Sequence, residues 1–161
     1  MEEAFKRGIK YAEVDANKTA NNIRVLIHDT PHAARTSSTT LSILNTNFQT
    51  LKTFDYGSWK GPAFSGTPLP TLEEALLLEE QYDAFLHLDT KSFTPQLFQE
   101  VLVEKGVNPN RLMPAINSFA EADSFRTYCP NSPFVFFGDW RDHLDDTPWF
   151  QTRVDKGCIA F

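Results

Sequence analysis

Cysteine is scarce in this 161-residue chain: only Cys129 and Cys158 occur, and they lack metal-site spacing. Both read as reduced, partly buried thiols, with a disulfide between them left open. Long hydrophobic runs are also missing. None approaches the ~20 apolar residues of a bilayer-spanning helix, and the longest helical apolar stretch lies at Ala75–Leu78. Positive charge is sparse and scattered, with 15 Lys and Arg against 21 Asp and Glu and a formal net charge of −6. No basic cluster exists to neutralise a phosphate backbone, which argues against nucleic-acid binding. Met1–Arg7 carries two acids and no apolar signal core, so no secretory leader is expected there; the compartment stays open. Internal repeats and low-complexity segments are absent.

What is present suits a packed core: 41% of residues are apolar and 13% aromatic. The length fits one domain over residues 1–161. Glu2–Lys10 reads as a short amphipathic helix and Lys10–Asp15 as a strand. Thr19–Asn22 reads as a turn with Asn21-Asn22 at its tip, and Ile23–Ile27 as a returning strand that brings His28 back toward Glu13 and Asp15. Residues 30–70, rich in Ser, Thr, Pro and Gly, form a long excursion of the kind used as lids and binding loops; a short helix is expected near Leu41–Leu51.

Regular order resumes at Thr71, an N-cap with Glu74 three residues on, which predicts a capping box and a helix to about Tyr82. A strand at Ala84–Asp89 follows, then a helix from Thr94-Pro95 to Lys105 that stops at Gly106. The rest reads as a strand at Arg111–Asn117 despite Pro114, a helix at Ser118–Tyr128, an aromatic strand at Pro133–Gly138, a weaker helix at Asp142–Asp155 interrupted at Pro148, and a strand beginning at Gly157. Strand and helix alternate at least four times, which predicts an α/β fold with a parallel sheet.

Several chemically capable side chains fall at predicted strand ends. Glu13 and Asp15 share one face of the first strand, Asp89 and Lys91 end another, and His28-Asp29 ends the hairpin strand. In a β/α barrel those ends form the active face. Three acids supply the oxygen ligands that Mg²⁺ or Ca²⁺ takes, Lys91 can carry part of an anionic load, and His28 titrates near neutrality. Each also has a plainer reading, as solvated surface, an exposed ion pair or a structural histidine.

The order of motifs resembles the glycerophosphodiester phosphodiesterase family. The resemblance rests on Ala4-Phe5, Ala12-Glu13-Val14-Asp15, Val25-Leu26-Ile27-His28-Asp29, Arg35-Thr36, Gly57-Ser58-Trp59-Lys60-Gly61-Pro62, Phe64-Ser65-Gly66, Leu69-Pro70-Thr71-Leu72-Glu73-Glu74, Asp89-Thr90-Lys91 and Asn117-Ser118-Phe119. It implies a partial (β/α) TIM-type barrel lacking the first and last strands, with the family's insertion at residues 30–70, after the first strand present. It further implies hydrolysis of a small phosphodiester to an alcohol and glycerol 3-phosphate, with a divalent cation, Mg²⁺ or Ca²⁺, on Glu13, Asp15 and Asp89. His28 would act as one acid/base histidine and Lys91 would contact the phosphate. Trp59 would touch substrate from the lid, or else pack on the barrel rim; Trp140 would line the pocket mouth.

The family's H-R-G histidine precedes the first residue here, and complete barrels take ~200–250 residues. The resemblance therefore implies five of eight barrel strands, weak or no turnover by the chain alone, and missing segments or a partner chain to complete the barrel. Asp89 replaces the usual glutamate, as in the related sphingomyelinase D-like enzymes, a reading the long insertion disfavours. The alternative is a pseudoenzyme that binds cation and phosphodiester without turnover. Of the other histidines, His32 reads as a loop residue, His87 as a hydrogen-bonded residue inside the barrel and His143 as surface.

Overall fold

The computed structural model describes residues 1–29, 37, 39–92, 94–137, 146–155 and 158–160. It contains helices α1 (Glu2–Lys6), α2 (Phe48–Leu51), α3 (Leu72–Tyr82), α4 (Pro95–Lys105), α5 (Phe119–Tyr128) and α6 (Thr147–Asp155). Its strands are β1 (Tyr11–Lys18), β2 (Arg24–Leu26), β3 (Phe85–Thr90), β4 (Leu112–Ile116), β5 (Phe134–Phe136) and β6 (Cys158–Ala160). They form one sheet in the order β2-β1-β3-β4-β5-β6. β1, β3, β4, β5 and β6 run parallel, and β2 pairs antiparallel with β1. This is the expected partial barrel: five parallel strands and a hairpin strand, where a closed barrel has eight.

Alternation along the strands sorts side chains onto two faces. Ala16, Leu86, Leu88, Leu112, Ile116, Phe134 and Phe136 face the helices and build the main core with Leu72, Leu76, Phe98, Val101 and Phe125. Phe125 meets Phe98 edge-on at 5.4 Å and Phe134 at 6.1 Å. The opposite face, the barrel interior, carries Tyr11, Glu13 and Asp15 on β1 beside Phe85, His87 and Asp89 on β3. Tyr11 stacks on Phe85 at 4.8 Å, yet Tyr11 stays 65% exposed and Phe137, just past β5, 52% exposed. An interior that a closed barrel fills with side chains is open here.

The local signals explain most boundaries. The Thr71 capping box forms, with Glu74 N donating to Thr71 Oγ1 and Thr71 N donating back to Glu74 at 2.8 Å. Thr94 caps α4, and Gly106 ends it at φ 61°. Asn22, at the hairpin tip, takes φ 59°. Pro114 lies within β4, but pairing with β5 begins only at Ala115, so its missing N–H leaves no gap in that ladder.

Four expectations are corrected. α1 stops at Lys6, because the chain turns through Arg7 and Gly8, the latter at φ 87°. β1 continues past Asp15 to Lys18, because Ala16–Lys18 pair with β2. The helix near Leu41–Leu51 shrinks to Phe48–Leu51, begun at Asn47. Pro148 does not interrupt α6: it sits in the first turn, where no intrahelical N–H is needed. Residues 142–145 of that predicted helix lie outside the described residues.

Described residues 39–70 are not a loose loop. Ile43, Leu51, Tyr56 and Leu69 form a second small core with Val25 and Ile27. The segment is thus anchored on β2, and Leu26 N also donates to Pro70 O at 2.9 Å.

Candidate active site

The parallel register places Glu13 opposite His87 and Asp15 opposite Asp89. Carboxylate oxygens of Glu13, Asp15 and Asp89 lie within 4.8 Å of one another, Glu13 and Asp15 within β1 and Asp89 at the C-terminal end of β3. Two oxygens on one Mg²⁺ or Ca²⁺ can be no further apart than twice the bond length, ~4–5 Å. The all-oxygen donor set and its spacing therefore fit such an ion. Lys91 stands among the acids, with Nζ 3.3 Å from Asp15 and ion-paired to Asp89.

The electrostatics follow from this crowding. Burial first, then the Asp15 and Asp89 charges, push the Glu13 carboxyl above the ordinary glutamate range, against the pull of Lys91 and His28. For Lys91, burial favours the neutral amine, but hydrogen bonds to Asp89 and Asp15 outweigh it and the net shift is upward. Three acids and one lysine leave a surplus of negative charge that a divalent cation would balance.

The hairpin delivers the imidazole. Ile27 N donates to Asp15 O at 2.9 Å, and buried Asn17 donates through Nδ2 to Ile27 O at 2.6 Å. The next residue, His28, has Nδ1 2.9 Å from Asp29 Oδ1 and is 60% exposed. His28, Asp29 and Trp59 line one cleft of ≈240 Å³ with Tyr56 and Leu69. Trp59 is half exposed, its Nε1 donating to Tyr56 O at 3.0 Å. Glu13, Asp15, Asp89 and Lys91 are thus neighbours, the His28 charge acts on Glu13, and Trp59 lines the cleft that His28 lines. Trp140, His32, Arg35, Thr36 and His143 lie outside the described residues.

The family model described as the glycerophosphoryl diester phosphodiesterase family matches residues 1–117. The chain belongs to that family. YhdW of Bacillus subtilis (strain 168), which carries a glycerophosphodiester phosphodiesterase name, is 36% identical over 73 residues, 45% of this chain and 30% of YhdW. A solved Oleispira antarctica phosphodiesterase, in complex with the product sn-glycerol-3-phosphate, is 25% identical, covers 98% of this chain and 64% of its own, and superposes with a TM-score of 0.79. Glycerophosphodiester phosphodiesterases of Parabacteroides distasonis and Agrobacterium tumefaciens share the fold. The first is 23% identical with a TM-score of 0.74 over 93% of this chain and 51% of that one. The second is 16% identical with 0.76 over 99% and 76%. The chain spans under a third of YhdW and about half of the first Parabacteroides chain.

Two features of this chain escaped the sequence reading. Asp55 organises the Gly57–Gly66 segment. Its carboxylate accepts from Gly57 N at 2.7 Å, Ser58 N at 3.1 Å, Gly66 N at 2.9 Å and the Ser58 hydroxyl. Those bonds hold its pKa far below the ordinary aspartate value, the Gly66 N–H first among them. The available signal was an Asp two residues before Gly-Ser, where side-chain turns form. His87, expected to be hydrogen-bonded, instead stacks on Phe137 at 5.1 Å, and its buried Nε2 finds no partner among the described residues. Its cross-strand neighbours are Glu13 and Met113, and burial pushes its pKa down, with Asp89 opposing.

Proposed function

We propose that this chain carries the metal-site half of a phosphodiester hydrolase that cleaves glycerophosphodiesters to an alcohol and glycerol 3-phosphate. The observation that carries the reading is the clustering of Glu13, Asp15 and Asp89 around Lys91, beside the C-terminal end of β3. The family membership and the glycerol 3-phosphate complex of the Oleispira antarctica relative support the substrate class.

Glu13, Asp15 and Asp89 would hold Mg²⁺ or Ca²⁺, which supplies charge stabilisation to a phosphodiester oxygen when bound. Lys91, already protonated, offers hydrogen bonds to the same phosphate. The Asp29 contact occupies His28 Nδ1, leaving Nε2 as the atom that exchanges a proton. In hydrolysis a water oxygen would bond to phosphorus and lose its proton to solvent, the phosphorus–oxygen bond to one alcohol would break, and His28 Nε2 would give a proton to the departing oxygen and regain one from solvent. Trp59, which lines the same cleft as His28, would cover the organic part of the substrate. Such an acid/base group contributes ~10²–10⁴-fold.

A second reading is a module that binds cation and phosphodiester without turnover. It is favoured by one fact: among the described residues, His28 is the one imidazole at the rim, since His87 lies a layer below with a buried Nε2. Calorimetry with Mg²⁺ or Ca²⁺, paired with a glycerophosphodiester turnover assay, separates the two. Binding lost in Asp89→Asn plus turnover lost in His28→Ala supports the hydrolase. Binding without turnover supports the module. Absence of cation binding by the folded chain rejects both.

A further inference from the structure

The His28 side chain is 60% exposed, so packing does little to fix its ring. Its contact with Asp29 is to the adjacent residue and moves with it. The distance from the imidazole to Glu13, Asp15 and Asp89 is therefore decided by the backbone that carries it. β1 grips that backbone. The β1–β2 ladder pairs Asn17 with Val25 and Ala16 with Leu26, and just beyond it Ile27 N donates to Asp15 O at 2.9 Å. The next peptide joins Ile27 to His28, and its carbonyl oxygen, Ile27 O, accepts from Asn17 Nδ2 at 2.6 Å. Asn17 thus fixes the rotation between those two peptides, one of the soft backbone dihedrals that the Ile27 N–H bond leaves open.

The hairpin does not need this amide to stay in place. Val25 and Ile27 are already anchored in the second core with Ile43, Leu51 and Leu69. Asn17 is 0% exposed, and its Oδ1 is buried with no hydrogen bond among the described residues. A buried polar atom left unpaired is costly, and an aliphatic side chain would fill the same space without that cost. What the amide adds is its bond to the carbonyl that precedes His28. Lys91 is held separately: Lys91 N donates to Ala16 O at 3.1 Å, and Lys18 N donates to Ser92 Oγ at 3.0 Å.

We infer that Asn17 is a positioning residue, which sets the direction in which His28 leaves the hairpin and thereby the distance of its imidazole from the three acids. The inference rests on the hydrolase reading of that site and adds a residue that acts through His28.

The test is NMR of the full chain with Mn²⁺, an ion that carboxylates bind as they bind Mg²⁺ and that broadens proton signals steeply with proximity. In the wild type, saturating Mn²⁺ broadens the His28 ring signals and the Lys91 amide, and Asp89→Asn abolishes both effects. Asn17→Leu keeps the approximate shape but has no donor. At saturating Mn²⁺ its His28 ring loses more than half of the broadening, while the Lys91 amide keeps it. Unchanged methyl signals of the buried Leu86 and Leu88 report a preserved core. Asn17→Ala, which leaves room instead of filling it, gives the same result and decides the matter if Asn17→Leu does not fold. A wild-type His28 ring that stays sharp in Mn²⁺ removes the cation-site reading and this inference with it. Wild-type broadening that persists at His28 in the folded variants leaves the reading standing and overturns the role of Asn17. Equal loss at His28 and Lys91 overturns it too, because the whole site has then loosened.

Discussion

Replacing Glu13 by Gln should stabilise the chain without cation and destabilise it, relative to wild type, with cation. Glu13 stands within 4.8 Å of both Asp15 and Asp89. Its side chain is exposed, so water-like screening is the right limit. Two unit charges at that distance then repel by roughly 0.9 kcal/mol. Glu13→Gln removes two such repulsions and loses a partly offsetting attraction to Lys91, for a net gain of about 1 kcal/mol. For a chain of this size that raises the melting temperature by about 2–4 °C.

A cation bound only by the folded state reverses the order. At a hundredfold excess over its dissociation constant it stabilises wild type by about 2.7 kcal/mol, and the variant, short of one ligand, forgoes most of that. Thermal melts of both proteins in chelator and in Mg²⁺ or Ca²⁺ check the crossing. The pH dependence gives a second sign. Because the folded-state pKa of Glu13 is raised, the native state is penalised as pH climbs above the ordinary value of 4.5. The advantage of Glu13→Gln in chelator is therefore present at neutral pH and vanishes below 4.5. Parallel shifts in chelator and cation, or a wild-type melt indifferent to both ions, would refute the reasoning.

Three further substitutions test the scaffold. Asp55→Ala frees the amides of Gly57, Ser58 and Gly66; hydrogen exchange there should accelerate at least about tenfold while β3 and β4 amides are unchanged. Gly57→Ala would place a Cβ 2.0 Å from Phe64 O and 2.7 Å from Thr67 Cβ, so it should cost about 1–3 kcal/mol in denaturant unfolding. Phe98→Ala empties a fully buried position beneath Phe125 and should cost about 3–5 kcal/mol, enough to leave a marginal domain largely unfolded by circular dichroism.

The elements were legible where one local signal decided them. Thr71 with Glu74 and Thr94 with Pro95 each encode a cap whose partners are three residues away, so helix starts could be read directly. The Glu13 and Asp15 pairing with Asp89 was legible for another reason: strand alternation puts the acids on one face, and parallel neighbours bring those faces into register. What the sequence hid depends on contacts between distant residues. β1 runs on to Lys18 only because β2 returns to pair with it. Residues 39–70 read as an excursion because their apolar residues are widely spaced, yet Ile43, Leu51 and Leu69 meet over Val25. Asp55 gathers amides from Gly57 to Gly66, a closure no linear pattern reports.

The same logic explains why aromatic side chains on the interior face stay exposed. Tyr11, Phe85, His87 and Phe137 occupy positions that alternate with the helix-facing core, so the sheet must present them on its other side whatever covers it. Glu13 and Asp89 share that face, which ties the acids to the aromatics: any strand that closes over Tyr11 and Phe137 also removes water from the edge of the acidic cluster. Lower water access strengthens each charge interaction there. Were Glu13, Asp15 and Asp89 to hold a cation, barrel closure and cation affinity would be coupled through one surface, and a group that covers the aromatics should raise that affinity in a calorimetric titration without touching any of the three acids.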